Sequence, residues 1–457
     1  MTELLDALAE VVAADRLSSG EDAGDDYAHD ECLTVPARLP AAVVRPETTA
    51  EVADVLRVAQ ELGVPVTARG SGTGLSGAAT PRGDGVVVSF ERMARVLEID
   101  TENHCAVVQP GVRLNELDEL TAEHGLVYPV YPGEYSASLG GNVATNAGGM
   151  RAVKYGVTRH QVLGLELVLA GGTVMRTGGR FVKATTGYDL TQLVIGSEGT
   201  LALVTEATIK LYPRPRHQAT VLAPFATLDE VTAAVPRIVD SGVGPLVLEY
   251  IDLLTMSAVG SYTGLELSIP QEVKDTALAY LVVMLEDVHE DRLAQDLETV
   301  SELVTGLGAV DVYVLPPAAA GQLIEAREKA FWMAKANGAD DIVDVVVPRA
   351  QIPEFMTRVS ALATEYEAWI AGCGHAGDGN VHLGIFCADA ERRGRLLHDL
   401  FAAGMAVGGA ISGEHGIGEA KKDHYLQLED PAKVELMRRI KTAFDPTGIL
   451  NPGTIFD

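Results

Sequence analysis

Near the start of the chain, apolar residues recur first with the periodicity of a helix and then with patterns typical of strands and a further helix. Residues 2–17 place apolar side chains at helical spacing. The apolar run 41–46 predicts a strand, and the segment 47–63 predicts a helix that ends at Gly63. The run at 64–68 predicts another strand. The pattern therefore predicts an N-terminal helix followed by a strand–helix–strand unit.

The following segments alternate mostly strand-like runs with one helical pattern. Gly171 and Gly172 separate two apolar runs and predict the turn of a hairpin spanning 162–178. The Pro213-Arg214-Pro215 run is typical of a domain boundary. The other predicted strands are 84–90, 95–100 and 105–111, and the predicted helix is 113–125.

After residue 215 the pattern predicts a second domain with an antiparallel sheet, α+β in class. The final segment, 445–456, is interrupted by proline and glycine, so it predicts an extended tail that lies on another part of the protein. The predicted helices include 227–242 and 290–308, and the predicted strands include 245–252, 280–286 and 310–315.

Composition narrows the function classes. The 457 residues carry a formal net charge of −29, which argues against nucleic acid or an anionic membrane surface as a partner. Four separate cysteines without a CxxC pair argue against iron–sulfur sites, cysteine–zinc sites and a disulfide framework. We expect a cytoplasmic protein that is not an integral membrane protein, because neither a targeting signal nor a long apolar run is evident.

A glycine-rich loop follows the strand at 64–68. Gly72-x-Gly74-x-x-Gly77 has the letters of a dinucleotide-binding fingerprint, which requires a helix directly after the loop. Here Pro81 and further glycines leave no room for that helix. An NAD-binding unit is therefore not predicted. The loop N–H groups can still converge on a phosphate, and the alternative is a loop without a ligand.

A second block of small and polar residues lies further along the sequence. It contains Gly140, Gly141, Asn146, Gly148 and Gly149. Two such blocks in one strand-rich domain predict a long ligand that contains a pyrophosphate.

His375 and His382 lie seven residues apart in a glycine-rich segment that cannot form a stable helix. Such a loop, leading into a strand, can direct both imidazoles at one metal ion, with Glu414 as a third ligand. From the spacing alone, hydrogen-bonded structural histidines remain an equal alternative.

Four motifs identify a family resemblance. PVTARGSGTGLSG, VYPGEYSASLGGNVATNAGGMRAVKYG, TTGYDLTQLVIGSEGTLALVTEATIKL and DPTGILNPG occur in this order. They resemble the p-cresol methylhydroxylase (PCMH)/vanillyl-alcohol oxidase flavoproteins. Within these the protein is similar to the group of glycolate oxidase flavin subunits, D-lactate dehydrogenases and D-2-hydroxyglutarate dehydrogenases, from about residue 40 to the end.

The resemblance implies an α+β fold with a two-lobed PCMH-type FAD-binding domain and an antiparallel-sheet, ferredoxin-like substrate domain. We assign residues 1–35 to an N-terminal helical segment, 36–215 to the FAD domain and 216–415 to the substrate domain with the metal site. Residues 416–457 would return to the flavin.

The resemblance also implies the FAD-binding residues. Relatives with covalent flavin carry histidine at the position of Thr73, so FAD is expected to be non-covalent here. The residues implied to lie near FAD are Arg69, Gly70, Ser71, Gly72, Thr73, Gly74, Pro132, Gly133, Ser138, Gly141, Asn142, Asn146, Glu198, Gly199, Val204 and Asn451.

The same relatives imply roles at a metal centre. Residues matching His375, His382 and Glu414 bind a divalent ion, which would be zinc, manganese or iron. The residue matching His415 is the candidate base, and the one matching Arg327 holds the substrate carboxylate. A 2-hydroxy acid would lose its hydroxyl proton to the base and a hydride to flavin N5. For the arginine, a solvated helix charge is the alternative.

The substrate expectation rests on two positions. Ile342 stands where relatives acting on 2-hydroxyglutarate have a lysine, and Gly384 stands where they have an asparagine. A second substrate carboxylate would then lack a positive partner. We therefore expect a monocarboxylate such as D-lactate, glycolate or a larger apolar D-2-hydroxy acid.

Two other functions stay open. One is an FAD-dependent alcohol, sugar or phenol oxidase without a metal, and the other is a non-catalytic flavin subunit of a glycolate oxidase complex. The electron acceptor would be a quinone, a cytochrome, an electron-transfer flavoprotein or a partner subunit, and a homodimer is possible.

Overall fold

The computed structural model describes residues 2–263 and 269–456, without the side chains of residues 259, 262 and 263. Two compact units make up the protein. Unit 1 comprises residues 1–147, 157–213 and 414–457, and unit 2 comprises 148–156 and 214–413. Gly148 and Gly149 of the second glycine block thus belong to unit 2, whereas the rest of that block belongs to unit 1.

Unit 1 combines short strands with helices. Its strands are β1 (Leu17–Ser19), β2 (Ala42–Val44), β3 (Val66–Arg69), β4 (Val86–Ser89), β5 (Val96–Asp100), β6 (Cys105–Val108), β7 (Leu126–Val127), β8 (Val162–Val168), β9 (Val174–Gly178), β10 (Leu203–Lys210) and β11 (Tyr212–Pro213). Its helices are α1 (Thr2–Ala9), α2 (Gly20–Ala23), α3 (Thr49–Leu62), α4 (Leu114–Ala122), α5 (Leu139–Thr145), α7 (Thr158–Gln161), α8 (Leu190–Val194), α17 (Lys422–Leu428) and α18 (Pro431–Phe444), while α6 (Ala152–Tyr155) belongs to unit 2.

The strand–helix–strand unit predicted near the N-terminus is confirmed. Strands β2 and β3 both pair in parallel with β4, and α3 connects them. Thr48 caps α3 by accepting a hydrogen bond from the Glu51 N–H, and Gly63 ends the helix with φ +64°. The apolar face of α3 packs into a core with β2, β3 and β4. Burying each valine or leucine there stabilises the fold by about 1.5–3 kcal/mol.

The glycine loop after β3 runs to β4 without a helix, as the sequence predicts. The predicted hairpin is also present, since β8 and β9 pair antiparallel on either side of Gly171 and Gly172. These strands belong to a second sheet in the order β5-β6-β10-β8-β9 within the described residues. The first sheet has the order β1-β2-β4-β3.

The C-terminal tail completes unit 1. Leu450 is fully buried and forms a parallel bridge with Val66 at the start of β3. The Val66 N–H donates to the Ile449 carbonyl, and the Asn451 N–H donates to the Val66 carbonyl, both at 2.8 Å. The predicted extended tail therefore lies against the strand that leads into the glycine loop.

Unit 2 is built on one antiparallel sheet in the order β15-β12-β14-β13-β17-β18-β16 within the described residues. Its strands are β12 (His217–Phe225), β13 (Val247–Asp252), β14 (Ala279–Asp287), β15 (Tyr313–Leu315), β16 (Asp341–Val346), β17 (Trp369–His375) and β18 (Asn380–Phe386). Its further helices are α9 (Leu228–Asp240), α10 (Leu253–Thr263), α11 (Gln271–Thr276), α12 (Glu290–Gly306), α13 (Pro317–Glu328), α14 (Ala330–Ala336), α15 (Ile352–Glu365) and α16 (Ala390–Ala406).

Strand register places several polar residues of unit 2 on one side of its sheet. Cys373 pairs with both Ile251 and His382, and His382 also pairs with Asp344. Side chains alternate between the two faces along a strand. On each strand, the positions two residues before and after a paired residue therefore lie on the same face as that residue. We call this the polar face of unit 2; it carries Glu249, Asp344, Ala371, His375, His382, Gly384 and Ile342.

No helix in the described part of the protein combines the length and apolar character needed to cross a membrane.

The turn between β17 and β18 depends on Gly379. Its φ is +83°, and a Cβ there would lie 1.9 Å from the Val347 carbonyl oxygen. We expect Gly379→Ala to cost about 1–2 kcal/mol from the left-handed backbone and a further ~1–3 kcal/mol from the clash. Gly338→Ala is the control, because Gly338 has φ +82° with open space. Urea unfolding measures both costs; equal values would contradict the clash.

Candidate functional site

Unit 1 contains a cavity beside the glycine loop. Its empty volume, which includes open solvent, is about 480 Å³. Of the residues predicted to lie near FAD, Arg69, Gly70, Gly141, Gly199 and Val204 line this cavity. It is otherwise lined by Ala68, Phe90, Pro110, Gly140, Ala144, Val194, Ser197, Ala202 and Leu203.

Gly70 lies where the glycine loop approaches α5 closely. A Cβ on Gly70 would come within 1.9 Å of the Ser138 hydroxyl. That hydroxyl caps α5 by accepting hydrogen bonds from the Gly141 N–H and from the Ser71 N–H of the loop. Gly72 has φ +74°, and Thr73 and Gly74 follow it in the loop. The small residues thus let two backbone segments meet at the cavity.

Asn142 provides a polar group that the described residues leave unsatisfied. It is 3% exposed on α5, and its Nδ2 has no hydrogen-bond partner among them. A buried donor without a partner costs about 1–3 kcal/mol. Asn142 does not line the cavity, whereas Gly70 and Gly141 do, and the close backbone approach that glycine allows at Gly70 fits a flavin nucleotide. Asn146 has φ +54° and ends α5, while its side chain accepts from the Arg159 N–H.

Other predicted FAD residues support the backbone of unit 1. Glu198, with φ +52°, accepts hydrogen bonds from the Ile417 and Gly418 N–H groups, both at 2.8 Å. Burial raises the pKa of Glu198 to about 7, although these N–H groups oppose the shift. The Asn451 amide donates to the Glu198 and Ala78 carbonyls. Arg69 donates to the His29 carbonyl at 2.7 Å.

Pro132 and Gly133 lie on a connecting segment, with Gly133 at φ +83°. Neither residue lines the described cavity.

The two predicted metal-binding histidines lie together on the polar face of unit 2. His375 is the last residue of β17 rather than part of a loop, and His382 lies within β18. Their ring centroids are 4.7 Å apart, with the planes at 79°. Their ligand nitrogens lie within 4.8 Å of each other. Two neighbouring imidazoles are donors that suit zinc, manganese or iron.

Glu249 was not singled out by the sequence reasoning, yet it lies at the centre of this face. Its side chain is 1% exposed, and Oε1 accepts from His375 Nδ1 at 2.5 Å. Its Oε2 lies 2.8 Å from Arg327 Nη2. Burial by itself raises the pKa of Glu249, but His375 and Arg327 outweigh it and hold that pKa below its ordinary value.

Arg327 is a buried residue of α13, with 8% of its side chain exposed. A solvated helix charge is therefore excluded for this residue. The signal for Glu249 was a lone acid in the otherwise apolar strand VLEYID, where a buried carboxylate requires a partner.

The segment that leads to Glu414 is anchored to β16. Asp344 is fully buried and accepts from the Ser412 hydroxyl and from the Gly413 N–H at 2.8 Å. Gly413 is the last residue of unit 2, and Glu414 is the next residue in the sequence. Beyond it, the Ser76 hydroxyl donates to the His415 carbonyl at 2.9 Å, within unit 1.

The two positions predicted to set substrate preference face each other. Ile342 and Gly384 are directly paired in β16 and β18, on the polar face next to the histidines. A Cβ on Gly384 would lie 3.6 Å from Ala334 and from Phe386, both apolar. The side chains nearest to Gly384 are therefore apolar, and the Ala371 carbonyl oxygen lies 3.8 Å from that Cβ position.

Comparison with known families identifies the class. The profile of the C-terminal domain of FAD linked oxidases matches residues 214–455, and that of an FAD binding domain matches residues 40–178. The protein belongs to the FAD-linked oxidases.

Individual relatives place it more closely. The protein is 59% identical to an uncharacterized FAD-linked oxidoreductase of Mycobacterium tuberculosis, over 100% of its own length and 99% of the relative. It is 36% identical to a D-lactate dehydrogenase of Anaerostipes hadrus, over 99% and 97%. The solved structure of 4-ethylphenol oxidase from Gulosibacter chungangensis has the same fold, with TM-score 0.82, 18% identity and coverage of 100% and 97%.

Proposed function

We propose that the protein is an FAD-dependent, metal-assisted dehydrogenase that oxidises a D-2-hydroxy acid to the 2-oxo acid. The observation that carries the proposal is the polar face of unit 2, where a histidine pair adjoins the buried Arg327. Imidazoles suit a divalent ion, and a guanidinium suits a carboxylate. The D-lactate dehydrogenase relative supports the substrate class and the D configuration.

Each residue then has one task. His375, His382 and Glu414 would hold the ion, Arg327 would bind the substrate carboxylate, and His415 would accept the hydroxyl proton. When bound, FAD supplies a hydride acceptor and the ion supplies a Lewis acid. Histidine suits the base because its ordinary pKa lies near neutrality.

We further propose a substrate with one carboxylate, such as D-lactate, glycolate or a larger apolar D-2-hydroxy acid. Ile342, Gly384 and Ala334 support this, since none offers a charge or hydrogen bond to a distal carboxylate. Burying such a group without a partner is costly. We also propose that FAD is non-covalent, because threonine at position 73 offers no imidazole for a flavin bond.

The test is anaerobic bleaching of the flavin. The purified protein is mixed with D-lactate, L-lactate, glycolate, D-2-hydroxybutyrate, a D-2-hydroxy acid with a long alkyl group and D-2-hydroxyglutarate, before and after chelation. We expect a D-monocarboxylate to bleach the flavin, chelation to prevent it, and added Zn²⁺ or Mn²⁺ to restore it.

The other outcomes separate the alternatives. Bleaching by D-2-hydroxyglutarate alone would contradict the role given to Ile342 and Gly384. Alcohols and phenols are added in a parallel set of mixtures, and bleaching by one of them that survives chelation would identify an oxidase without a metal. A flavin that no hydroxy acid or alcohol reduces, in protein that holds its ion, would indicate a non-catalytic subunit.

A further inference from the structure

Glu249 contacts both His375 and Arg327, yet the proposed function gives it no role. We propose that Glu249 is a positioning residue, which fixes the tautomer of His375 and the direction of the Arg327 guanidinium so that the ion and the substrate carboxylate are held at a set separation. This inference rests on the proposed function, because it presumes that both partners act in the same reaction.

The first half of the argument concerns His375. With Glu249 accepting at 2.5 Å, Nδ1 carries the hydrogen, and Nε2 is left as the nitrogen with a lone pair for an ion. A carboxylate in this position also fixes the rotation of the ring and makes the ligand nitrogen more basic. Without it, the imidazole could place the hydrogen on either nitrogen, and one of these two forms cannot bind through Nε2.

The second half concerns Arg327. The other oxygen of the same carboxylate forms an ion pair with Nη2 at 2.8 Å, so the negative charge attracts one edge of the guanidinium. A planar guanidinium held at one edge directs its remaining N–H groups along fixed lines. Since both contacts belong to one carboxylate, the metal ligand and the substrate-binding arginine cannot shift independently.

The strand that carries Glu249 keeps this bridge in place. Glu249 pairs with Val282 in β14, and its neighbour Tyr250 pairs with Gly374 in β17. Its carboxylate is therefore positioned by an interior strand rather than by a loop. A buried ion pair is often no more stabilising than an apolar replacement, so stability alone does not account for it.

Asp252 gives a matched comparison within the same strand. It is only partly buried, and its carboxylate accepts from the Gly372 and Thr255 N–H groups, at 2.6 and 2.7 Å. Those contacts join backbone segments and do not involve either histidine. Changing Asp252 should therefore affect stability, whereas changing Glu249 should affect metal and substrate binding.

The experiment compares Glu249→Gln with Asp252→Asn in the full-length protein with FAD. Chelated protein is titrated with Zn²⁺ or Mn²⁺ alone against a chromophoric chelator, and flavin content and the unfolding temperature report folding. We expect Glu249→Gln to weaken metal binding about 10–100-fold, because an amide has one accepting oxygen and no negative charge, so it cannot both accept from His375 and form an ion pair with Arg327. Glu249→Gln should also raise KM for the hydroxy acid. At saturating metal, kcat should return closer to its wild-type value than KM does. Asp252→Asn should lower the unfolding temperature and keep the metal affinity.

The outcomes are separable. Wild-type protein that takes up no ion, or that no hydroxy acid reduces, means that the proposed function has failed. If wild type does both, a Glu249→Gln protein with metal affinity and KM within about twofold of wild type overturns this inference alone. If Glu249→Gln loses its flavin, Glu249→Asp decides, because it keeps the charge but is too short for both contacts. An unchanged metal affinity in Glu249→Asp would overturn the inference.

Discussion

Replacing His382 by alanine is expected to remove the metal ion and to lower kcat by about a thousandfold. His382 is one of the two imidazoles on the polar face of unit 2, and its loss leaves His375 without its neighbouring donor. A Lewis acid at a substrate oxygen supplies several kcal/mol, and about 4 kcal/mol corresponds to about a thousandfold in rate. Metal analysis and steady-state rates measure the effect, and flavin content should stay at the wild-type level.

His398→Ala is the matched control for this change. His398 lies on α16 of the same unit, is 38% exposed and pairs with Asp399. Its removal should alter neither metal content nor rate. A His382→Ala protein that retains stoichiometric metal and the wild-type rate would rule out this histidine as a ligand.

Replacing Arg327 by methionine is expected to have the second large effect, on stability as well as on catalysis. Arg327 and Glu249 form a buried ion pair, and removing one partner of such a pair costs about 3–5 kcal/mol. Losing hydrogen bonds to a charged substrate, each of about 1.5–3 kcal/mol, should lower kcat/KM by about 10²–10⁴-fold. Urea unfolding measures the first effect and steady-state kinetics the second.

Two further variants test the interpretation. Arg327→Lys keeps the charge but not the planar fork, so it should recover stability more fully than kcat/KM. Arg395→Met removes an exposed pair with Glu391, which should cost less than about 1 kcal/mol. If Arg327→Lys had wild-type kinetics, bidentate binding of the carboxylate would be contradicted.

Local signals in the sequence were enough for much of the fold. The helix end at Gly63 and the hairpin turn at Gly171 and Gly172 could be predicted, because each of these features depends on a few neighbouring residues. The absence of a helix after the glycine loop followed from Pro81 and the nearby glycines. The antiparallel sheet of unit 2 followed from the spacing of its apolar runs.

The part of the candidate site that the sequence did not predict depends on contacts between segments that are far apart in the sequence. Glu249 and His375 are 126 residues apart, and no local pattern reports that they meet. The burial of Arg327 also depends on a distant residue, since its partner is Glu249. Its acidic neighbours in the sequence favoured an exposed position instead. The assignment of residues 148–156 to unit 2 likewise depends on long-range packing.

The tail that bridges Val66 has a consequence for biosynthesis. Unit 2 is complete at Gly413, whereas β3 of unit 1 lacks the bonds from Ile449 and Asn451 until these two residues have been made. At ordinary translation speeds the 44 residues from Glu414 to Asp457 take about 2–9 s, and domains tend to fold as units while the polypeptide grows. The second unit in the sequence can thus fold first. Truncation of the C-terminus removes the contacts beside the glycine loop and leaves the sequence of unit 2 intact.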